Sequence, residues 1–239
     1  MKKLLIVALL AGAIYWWWLP KSVQGPLSDH AYEYIIRASG EGGSSDTLPM
    51  IIALHGNGDT TNHFYESLLQ DFDEPARFIV VRGPVEYAGV SLGGRAWPMD
   101  IEGLREYGDA LADAVPVLLE RYPTDGKPVV VGFSGGAFIA YYLAACHADQ
   151  FSYLFPLSGG LPSRLSCDSG AGGARVIAFH GRKDQLVSFN RGMNAVNALK
   201  ERGLSAELID FDGGHIDIFR SAKRDLLNRM GDVIKGIAH

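Results

Sequence analysis

The chain has 239 residues, of which 47% are hydrophobic and 21% are charged, an ordinary balance for a globular protein. This length suits one sizeable core in a single domain, and the composition excludes a disordered or fibrous chain. The formal net charge is −5, and removing the three lysines of residues 1–25, which contain no acid, leaves −8. The charge therefore argues against a nucleic-acid partner.

Residues 1–25 have the pattern of an export segment. Two lysines precede an uncharged stretch, Leu4–Leu19, as in the n-region and h-region of a signal peptide. Three tryptophans at 16–18 suit a membrane interface, and 16 residues at about 1.5 Å each span about 24 Å, slightly less than a ~30 Å hydrocarbon core. We expect an exported protein, periplasmic or secreted. A signal cleaved after 11–13 or after 23–25 and an uncleaved membrane anchor both stay open.

The two cysteines, Cys146 and Cys167, are the only candidates for a disulfide. Their spacing is unlike that of zinc ligands, so the sequence indicates no metal. In an oxidising compartment a disulfide between them would be worth about 3 kcal/mol, whereas Cys146 also lies in a helical pattern that suits a core thiol. The sequence leaves both alternatives open.

Apolar runs alternate with amphipathic segments from Ala31 onward. Helical patterns lie between most of the strand-like runs, and a last helix is predicted from about Ile216. The strand-like runs are AYEYIIRAS, PMIIALHG, ARFIVVRGP, KPVVVGFS, FSYLFPLSG, ARVIAFHG and SAELIDF. This pattern predicts an α/β fold, with a mostly parallel central sheet and helices on both faces. The first run, joined to the second by a Gly/Ser-rich loop, is typical of an antiparallel edge hairpin at the N-terminal side.

Four strand ends carry polar motifs, HGNGD, GFSGG, HGRKD and DGGH, and strand ends of this kind form the ligand crevice of a parallel sheet. Ser134 stands in the second motif, between an apolar strand and a helix. Flanking glycines permit the sharp turn that lifts a nucleophilic hydroxyl clear of the sheet. A serine in this position is a candidate nucleophile, provided that the chain supplies a base and an acid.

His215 and Asp184 are the candidates for these partners. On this architecture the order is serine, acid, histidine, which leaves His215 and the terminal His239 as bases, and a terminal residue is expected to fray. Asp184 follows a strand by three residues, whereas Asp210 and Asp212 belong to the strand end beside His215. The alternatives are a solvated loop charge at 184 and a surface histidine at 215.

Acyl transfer also requires two backbone N–H groups that bind the developing oxyanion. We expect one from Gly135, directly after the nucleophile, and the other from Asn57 in the glycine-rich loop after PMIIAL. The alternative for that loop is a plain turn that opens a helix, with Asp59 or Thr61 as its cap.

The ordered motifs HGNGDTTNHF, GRAWPMD, GFSGGAFIA, FPLSGGLP, HGRKDQLV and GGH resemble the carboxylesterase/phospholipase branch of the α/β-hydrolase superfamily, which includes acyl-protein thioesterases. The resemblance implies an α/β-hydrolase catalytic domain over residues 26–239, with Ser134, Asp184 and His215 as the triad and no cofactor. Gly135 stands where the thioesterase-like relatives commonly carry glutamine, so the resemblance does not carry their substrate over to this chain. Trp97 is either a wall of the substrate pocket or core packing.

The sequence therefore favours an exported serine hydrolase that cleaves carboxylic esters, with a short acyl ester, a lysolipid or a thioester as substrate. An exported peptidase or amidase would use the same triad. A membrane-tethered binding protein that has lost catalysis is a third hypothesis, because a fold does not fix a function.

Overall fold

An eight-stranded sheet runs through the computed structural model, which describes residues 20–40, 47–87, 93–167 and 173–237. A separate two-stranded ladder is formed by β5 and β6. In chain order the strands are β1 (Lys21–Gln24), β2 (Ala31–Ser39), β3 (Met50–Leu54), β4 (Ala76–Val81), β5 (Val85–Glu86), β6 (Arg95–Ala96), β7 (Val129–Phe133), β8 (Tyr153–Leu157), β9 (Arg175–Gly181) and β10 (Ser205–Phe211).

In the described ranges four helices connect these strands and a fifth follows β10, and short 3₁₀ turns occupy Ala148–Gln150 and Asp217–Phe219. The helices are α1 (Thr61–Phe64, continued by a π-helical turn over Tyr65–Leu69), α2 (Ile101–Arg121), α3 (Gly135–Cys146), α4 (Phe189–Glu201) and α5 (Lys223–Ile237). No helix in the described ranges is both long and apolar enough to cross a membrane.

The strand order of the large sheet is β1-β2-β4-β3-β7-β8-β9-β10. Every neighbouring pair from β4 to β10 is parallel, and β2 pairs antiparallel with both β1 and β4. The mostly parallel sheet and the antiparallel hairpin at its N-terminal edge are thus confirmed. The hairpin partner of β2 is β1, however, and the following strand β3 lies two positions away.

The hairpin includes residues that sequence analysis assigned to the export segment. Lys21–Gln24 pairs with Tyr34–Ala31, and Val23 is buried. The predicted h-region, Leu4–Leu19, lies outside the described residues.

Apolar residues form one core on each face of the sheet, as expected for central strands covered by helices on both sides. In β3, Ile52 and Leu54 pack into one core and Ile51 and Ala53 into the other, because successive side chains of a strand point to opposite faces. Helices α2, α3 and α4 cover the first core, and α1 and α5 cover the second.

The neighbouring strands β3 and β7 lie at the topological switch point of the sheet. From β3 the chain moves outward to β4, and from β7 it moves in the opposite direction through β8, β9 and β10. Two connections therefore leave the carboxyl ends of these strands in opposite directions and open a crevice between them. The HGNGD and GFSGG motifs border this crevice.

Cys146 and Cys167 form a disulfide, with their Cα atoms 5.1 Å apart. Of the two alternatives that the sequence left open, a disulfide and a core thiol, the structure has the disulfide. It joins the last residue of α3 to Cys167, in the connection between β8 and β9. The helix that begins at the candidate nucleophile and the loop beyond the next strand are therefore covalently tied.

Two helix starts differ from the expected ones. The last helix begins at Lys223 and not near Ile216, because the segment between them contains the 3₁₀ turn and is held by its own hydrogen bond, from the Gly214 N–H to the Asp217 carboxylate at 2.7 Å. Helix α1 is capped by Thr60, whose hydroxyl accepts from the His63 N–H at 3.2 Å. The caps considered at Asp59 and Thr61 are not used.

Candidate active site

Ser134 stands at the sharp turn between β7 and α3. Its backbone has φ 49° and ψ −113°, a left-handed conformation that is strained for a residue with a side chain. The turn is possible because glycines lie where backbones meet: a Cβ on Gly132 would lie 2.3 Å from the Gly136 carbonyl, and one on Gly136 would lie 2.3 Å from the Leu54 carbonyl. The serine N–H donates to the Leu157 carbonyl at 2.9 Å, which ties the turn to β8.

The three residues predicted as a triad meet at the carboxyl edge of the sheet. The Nε2 atom of His215 lies 2.9 Å from the Ser134 hydroxyl, and its Nδ1 atom lies 2.7 Å from Oδ2 of Asp184. The Asp184 side chain is fully buried, and its Oδ1 accepts from the N–H groups of Leu186 and Val187, both at 2.9 Å. These hydrogen bonds and the imidazole partner compensate the buried carboxylate for the loss of hydration.

The alternative acids are occupied elsewhere. Asp210 forms a salt bridge with Arg182, and Asp212 forms one with Lys183 at 2.7 Å. These pairs involve the same cations that could have neutralised Asp184 as a loop charge. Asp184 instead turns inward toward His215.

The loop that carries His215 is fixed from two sides. The hydroxyl of Ser158, at the end of β8, donates to the His215 carbonyl at 3.3 Å. The N–H of Lys183 donates to the Gly213 carbonyl at 2.9 Å, which ties this loop to the one that carries Asp184. The imidazole is thus held by its backbone as well as by its two side-chain partners.

The glycine-rich loop after β3 passes directly beside Ser134. A Cβ on Gly56 would lie 2.8 Å from the Phe133 ring and 3.5 Å from the Ser134 Cβ, so this close approach requires glycine. Among the groups that the structure describes, neither the backbone N–H of Asn57 nor that of Gly135 has a hydrogen-bond acceptor. Both predicted oxyanion donors are therefore available to a ligand.

The side chain of Asn57 ties this loop to residue 97. Its Oδ1 accepts from the Trp97 N–H at 2.8 Å, and its Nδ2 donates to the Trp97 carbonyl at 3.2 Å. The Trp97 side chain is only 1% exposed and packs against Tyr32 and His55 in the first core. Of the two alternatives for Trp97, the structure favours core packing, and its backbone supports the loop.

Two buried histidines that the sequence did not single out support the same site. His55 donates from Nδ1 to the Gly56 carbonyl at 2.7 Å and accepts at Nε2 from the Gly83 N–H at 2.9 Å. His180 has its Nε2 atom 2.8 Å from the Val187 carbonyl and 3.2 Å from Oδ2 of Asp184. His55 directly follows β3 and His180 is the next-to-last residue of β9, and both stand in the repeated dipeptide His-Gly, a signal that could have identified them.

Burial favours the neutral form of both histidines. Desolvation lowers the pKa of His55, and the Gly56 carbonyl offsets part of this effect. Desolvation also lowers the pKa of His180, against a smaller opposing influence of the Val187 carbonyl and Asp184. Since a carbonyl can only accept, the proton of neutral His180 resides on Nε2, where it also faces the Asp184 carboxylate.

A cavity of about 730 Å³ opens beside the triad. One wall is apolar and is formed by Phe133, Ile216 and Phe219, and we name it the apolar cavity after that wall. The rest of the lining includes Asp59, Thr60, His63, Ser67 and Arg220. The Phe133 ring lies 5.1 Å from the His215 ring and 4.8 Å from the Phe219 ring, between centroids. The cavity also reaches Gly56 and Asn57, so a molecule in it would touch the loop that carries the oxyanion donor.

A serine hydroxyl, an imidazole and a buried carboxylate in a hydrogen-bonded row, at the switch point of a mostly parallel sheet, have the geometry of a serine hydrolase of the α/β-hydrolase fold. The model of the phospholipase/carboxylesterase family matches residues 41–221, more than half of the chain. The chain therefore belongs to this family, and it is a serine hydrolase of the esterase type.

Comparison with known proteins agrees with this family. An Aspergillus clavatus protein named "Probable feruloyl esterase C" is 39% identical over 62 residues, which cover 26% of this chain and only 22% of that relative. The carboxylesterase of Bacillus cereus superposes with a TM-score of 0.67 at 20% identity, over 83% of this chain and 94% of that one. Acyl-protein thioesterase 2 of Zea mays has a TM-score of 0.65 at 24% identity, over 83% and 98%. At these identities the structural matches show the shared fold.

Proposed function

We propose that the protein is an exported hydrolase that cleaves carboxylic esters through an acyl-enzyme on Ser134. His215 is the general base and acid, Asp184 orients it, and the Asn57 and Gly135 amides bind the oxyanion. The observation that carries this proposal is the unbroken row of contacts, 2.9 Å from serine to imidazole and 2.7 Å from imidazole to carboxylate.

Acylation begins when His215 Nε2 takes the hydroxyl proton of Ser134 as Oγ bonds to the ester carbonyl carbon. The carbonyl oxygen becomes negative and accepts hydrogen bonds from the Asn57 and Gly135 amides. The positive end of α3, which begins at Gly135, favours this charge. The C–O bond to the alcohol then breaks, and the alcohol leaves with the proton from His215.

Deacylation repeats these steps with water in place of serine. His215 accepts a proton from water, the hydroxide oxygen bonds to the acyl carbon, and the proton returns to Ser134 as the acid is released. Asp184 keeps the Nδ1 proton on the correct side of the ring throughout. Its buried carboxylate also stabilises the imidazolium that forms in each half-reaction.

The substrate that these features support is an ester with an apolar leaving group. The alcohol must lie beside His215, from which it takes its proton, and the apolar cavity adjoins that residue through Phe133 and Ile216. A cavity of about 730 Å³ accommodates an aromatic or a short aliphatic alcohol. The substrate is accordingly a small-molecule or lipid ester.

Labelling with a fluorophosphonate tests the chemistry directly. Intact mass should show one adduct on the wild type and none on Ser134→Ala, because only an activated serine displaces fluoride from the reagent. A folded wild type that takes up no adduct would reject the hydrolase mechanism. Turnover of matched ester and amide substrates by the unlabelled wild type then separates an esterase from an amidase. We expect the ester to be cleaved faster.

Export is supported by two features. The Lys-Lys start and the uncharged Leu4–Leu19 stretch have the pattern of a signal, and a disulfide between Cys146 and Cys167 persists best in an oxidising compartment. Whether Leu4–Leu19 is removed or stays as a membrane anchor decides if the enzyme is released or tethered.

Strand β1 favours processing upstream of Lys21 over cleavage after Gly25. Cleavage after Gly25 would remove buried Val23 and the Ser22 carbonyl, which accepts from Arg121 at 2.8 Å. Amino-terminal sequencing of the exported protein tests this proposal. A mature chain that begins before Lys21 is expected, and one that begins at Pro26 would contradict it.

A further inference from the structure

A second cavity, of about 420 Å³, has a different character from the apolar cavity. Its apolar wall is formed by Ile101, Leu161 and Pro162, and two arginines, Arg164 and Arg191, also line it. We name it the arginine pocket. Its remaining lining residues are the neutral Ser163 and Asn194, so no acid among the described residues lines it.

The positive charge of this pocket is not neutralised within the described residues. Neither Arg164 nor Arg191 forms a salt bridge there, whereas other basic side chains do, for example Lys223 with Asp71 and Lys235 with Glu74. The whole chain carries a net charge of −5, so two uncompensated guanidinium groups in one concave site are a local reversal of charge. Such a site attracts anions.

Arg191 is held in place by packing. Its guanidinium carbon lies 4.8 Å from the centre of the Phe138 ring, a cation–π contact with a fully buried aromatic side chain. Its stem lies against Gly160, where a Cβ would come within 2.7 Å of the arginine Cγ. Glycine at 160 therefore provides the space through which the side chain reaches the pocket.

The arginine pocket and the apolar cavity lie on opposite faces of the sheet, because Ile101 and Leu161 pack with the first core and Phe133 and Phe219 with the second. Elements that carry the triad also carry residues of the arginine pocket. Phe138 lies one helical turn, about 5.4 Å of helix rise, beyond Ser134 in α3. Arg191 lies in the first turn of α4, four residues after Val187, whose N–H binds Asp184. Leu161 and Arg164 belong to the loop that starts at Ser158, the residue that holds the His215 carbonyl.

We infer that the arginine pocket binds a carboxylate at the far end of the substrate's acyl chain. The inference rests on the proposed function, in which the leaving alcohol occupies the apolar cavity beside His215. The acyl chain must then extend to the other side of Ser134, along Leu161 and Ile101. Guanidinium groups suit a carboxylate there because they donate several hydrogen bonds in a planar arrangement.

The test compares two esters that differ only in charge. One is the mono-4-nitrophenyl ester of adipic acid, with a free terminal carboxylate, and the other is the same ester with a terminal carboxamide. The wild type should have about a tenfold higher kcat/KM for the carboxylate ester, chiefly through KM, as charge-assisted hydrogen bonds of this kind imply. Raising the salt from about 0.05 M to about 0.5 M should reduce the preference.

Arg191→Gln and Arg164→Gln should each remove most of this preference and leave the carboxamide ester within about twofold of the wild type. Arg224→Gln is the matched control, since it deletes an exposed arginine in a groove beside α5, away from the arginine pocket, and it should keep the preference.

Three results would overturn the inference: equal rates for both esters in the wild type, a preference for the carboxamide, or a preference that Arg191→Gln and Arg164→Gln both retain. Failure to cleave either ester, together with no fluorophosphonate adduct on Ser134, would instead overturn the hydrolase function on which the inference rests.

Discussion

A Cβ placed on Gly135 would lie 2.0 Å from Oδ1 of Asn57, so a side chain at 135 and the present position of Asn57 exclude each other. The same oxygen accepts the Trp97 N–H and thereby holds the loop that presents the Asn57 amide. The glutamine common at this position in thioesterase-like relatives would need the space that Asn57 fills. Residues 57 and 135 therefore form a coupled pair beside the nucleophile.

Gly135→Ala should lower kcat about tenfold to a hundredfold, because it displaces Asn57 and shifts one of two oxyanion donors, each worth about 10² to 10³ in kcat. In an Asn57→Ala background, the same change should cost little more. Steady-state kinetics of the two single variants and the double variant measure this coupling as a double-mutant cycle.

Additive effects in that cycle would contradict the steric coupling of the two residues. Gly236→Ala is the matched control, since a Cβ at that glycine in α5 meets no atom within 4 Å. It should leave kcat unchanged, so any general effect of a glycine replacement on the fold is separated from the local one.

His180 is expected to position Asp184 and not to take part in proton transfer to substrate. His180→Leu should lower kcat about tenfold with KM nearly unchanged, because it removes the donor shared by the Val187 carbonyl and the Asp184 carboxylate. His180→Gln keeps an N–H donor on a side chain of similar length and should restore much of the loss. Parallel kcat and KM measurements on both variants, with circular dichroism as a check of folding, provide the test.

The control for this series is His147→Gln, which alters a histidine at the end of α3 that pairs with Asp109 and lies outside the triad. Its kcat should match that of the wild type. If His180→Leu retains the wild-type kcat, or if glutamine rescues no better than leucine, the positioning role is wrong.

The sequence was sufficient to predict the parallel sheet, because β3, β7 and β9 are nearly continuous apolar runs and each ends in a polar motif. That same pattern indicated Ser134, Asp184 and His215, which the structure brings together. The antiparallel pairing of β2 with β4 could not be predicted, since it joins strands that are not consecutive and depends on the packing of the whole edge.

Side-chain contacts between residues that are distant in the sequence could not be predicted either. Asn57 was predicted for its amide, but its side-chain pair with Trp97 spans 40 positions and depends on how the 93–100 segment returns to the crevice. The repeated His-Gly dipeptide marks His55 and His180, but their hydrogen-bond partners follow only from their burial in the fold. Nothing in the sequence distinguishes Arg191 from other surface arginines, because its contact with Phe138 depends on the fold.

The disulfide between Cys146 and Cys167 should stabilise the fold by about 3 kcal/mol, as expected for a closed loop of this size. The Cys146→Ala/Cys167→Ala double variant should lose about that much free energy of unfolding in urea. Dithiothreitol should reproduce the loss in the wild type and have no effect on the double variant. Equal stability of the wild type with and without reductant, once free thiols have been titrated to confirm reduction, would contradict this contribution.

The stability of the fold should fall as the pH drops below about 6.5, the ordinary pKa of histidine. Burial lowers the pKa of His55 and of His180 in the folded chain, so below that pH the unfolded chain binds protons that the native chain does not. The contribution of the two neutral histidines to the free energy of unfolding is therefore complete above the pKa of the unfolded chain. It is lost on acidification, by at most about 1.4 kcal/mol per pH unit for each histidine.

Urea denaturation at pH 7.5, 6.5 and 5.5 measures how the free energy of unfolding changes with pH. His55→Gln should reduce this change, whereas His63→Gln, whose side chain is 73% exposed, should not. If the free energy of unfolding of the wild type stays constant or rises between pH 7.5 and 5.5, His55 and His180 do not determine the stability of the fold in acid.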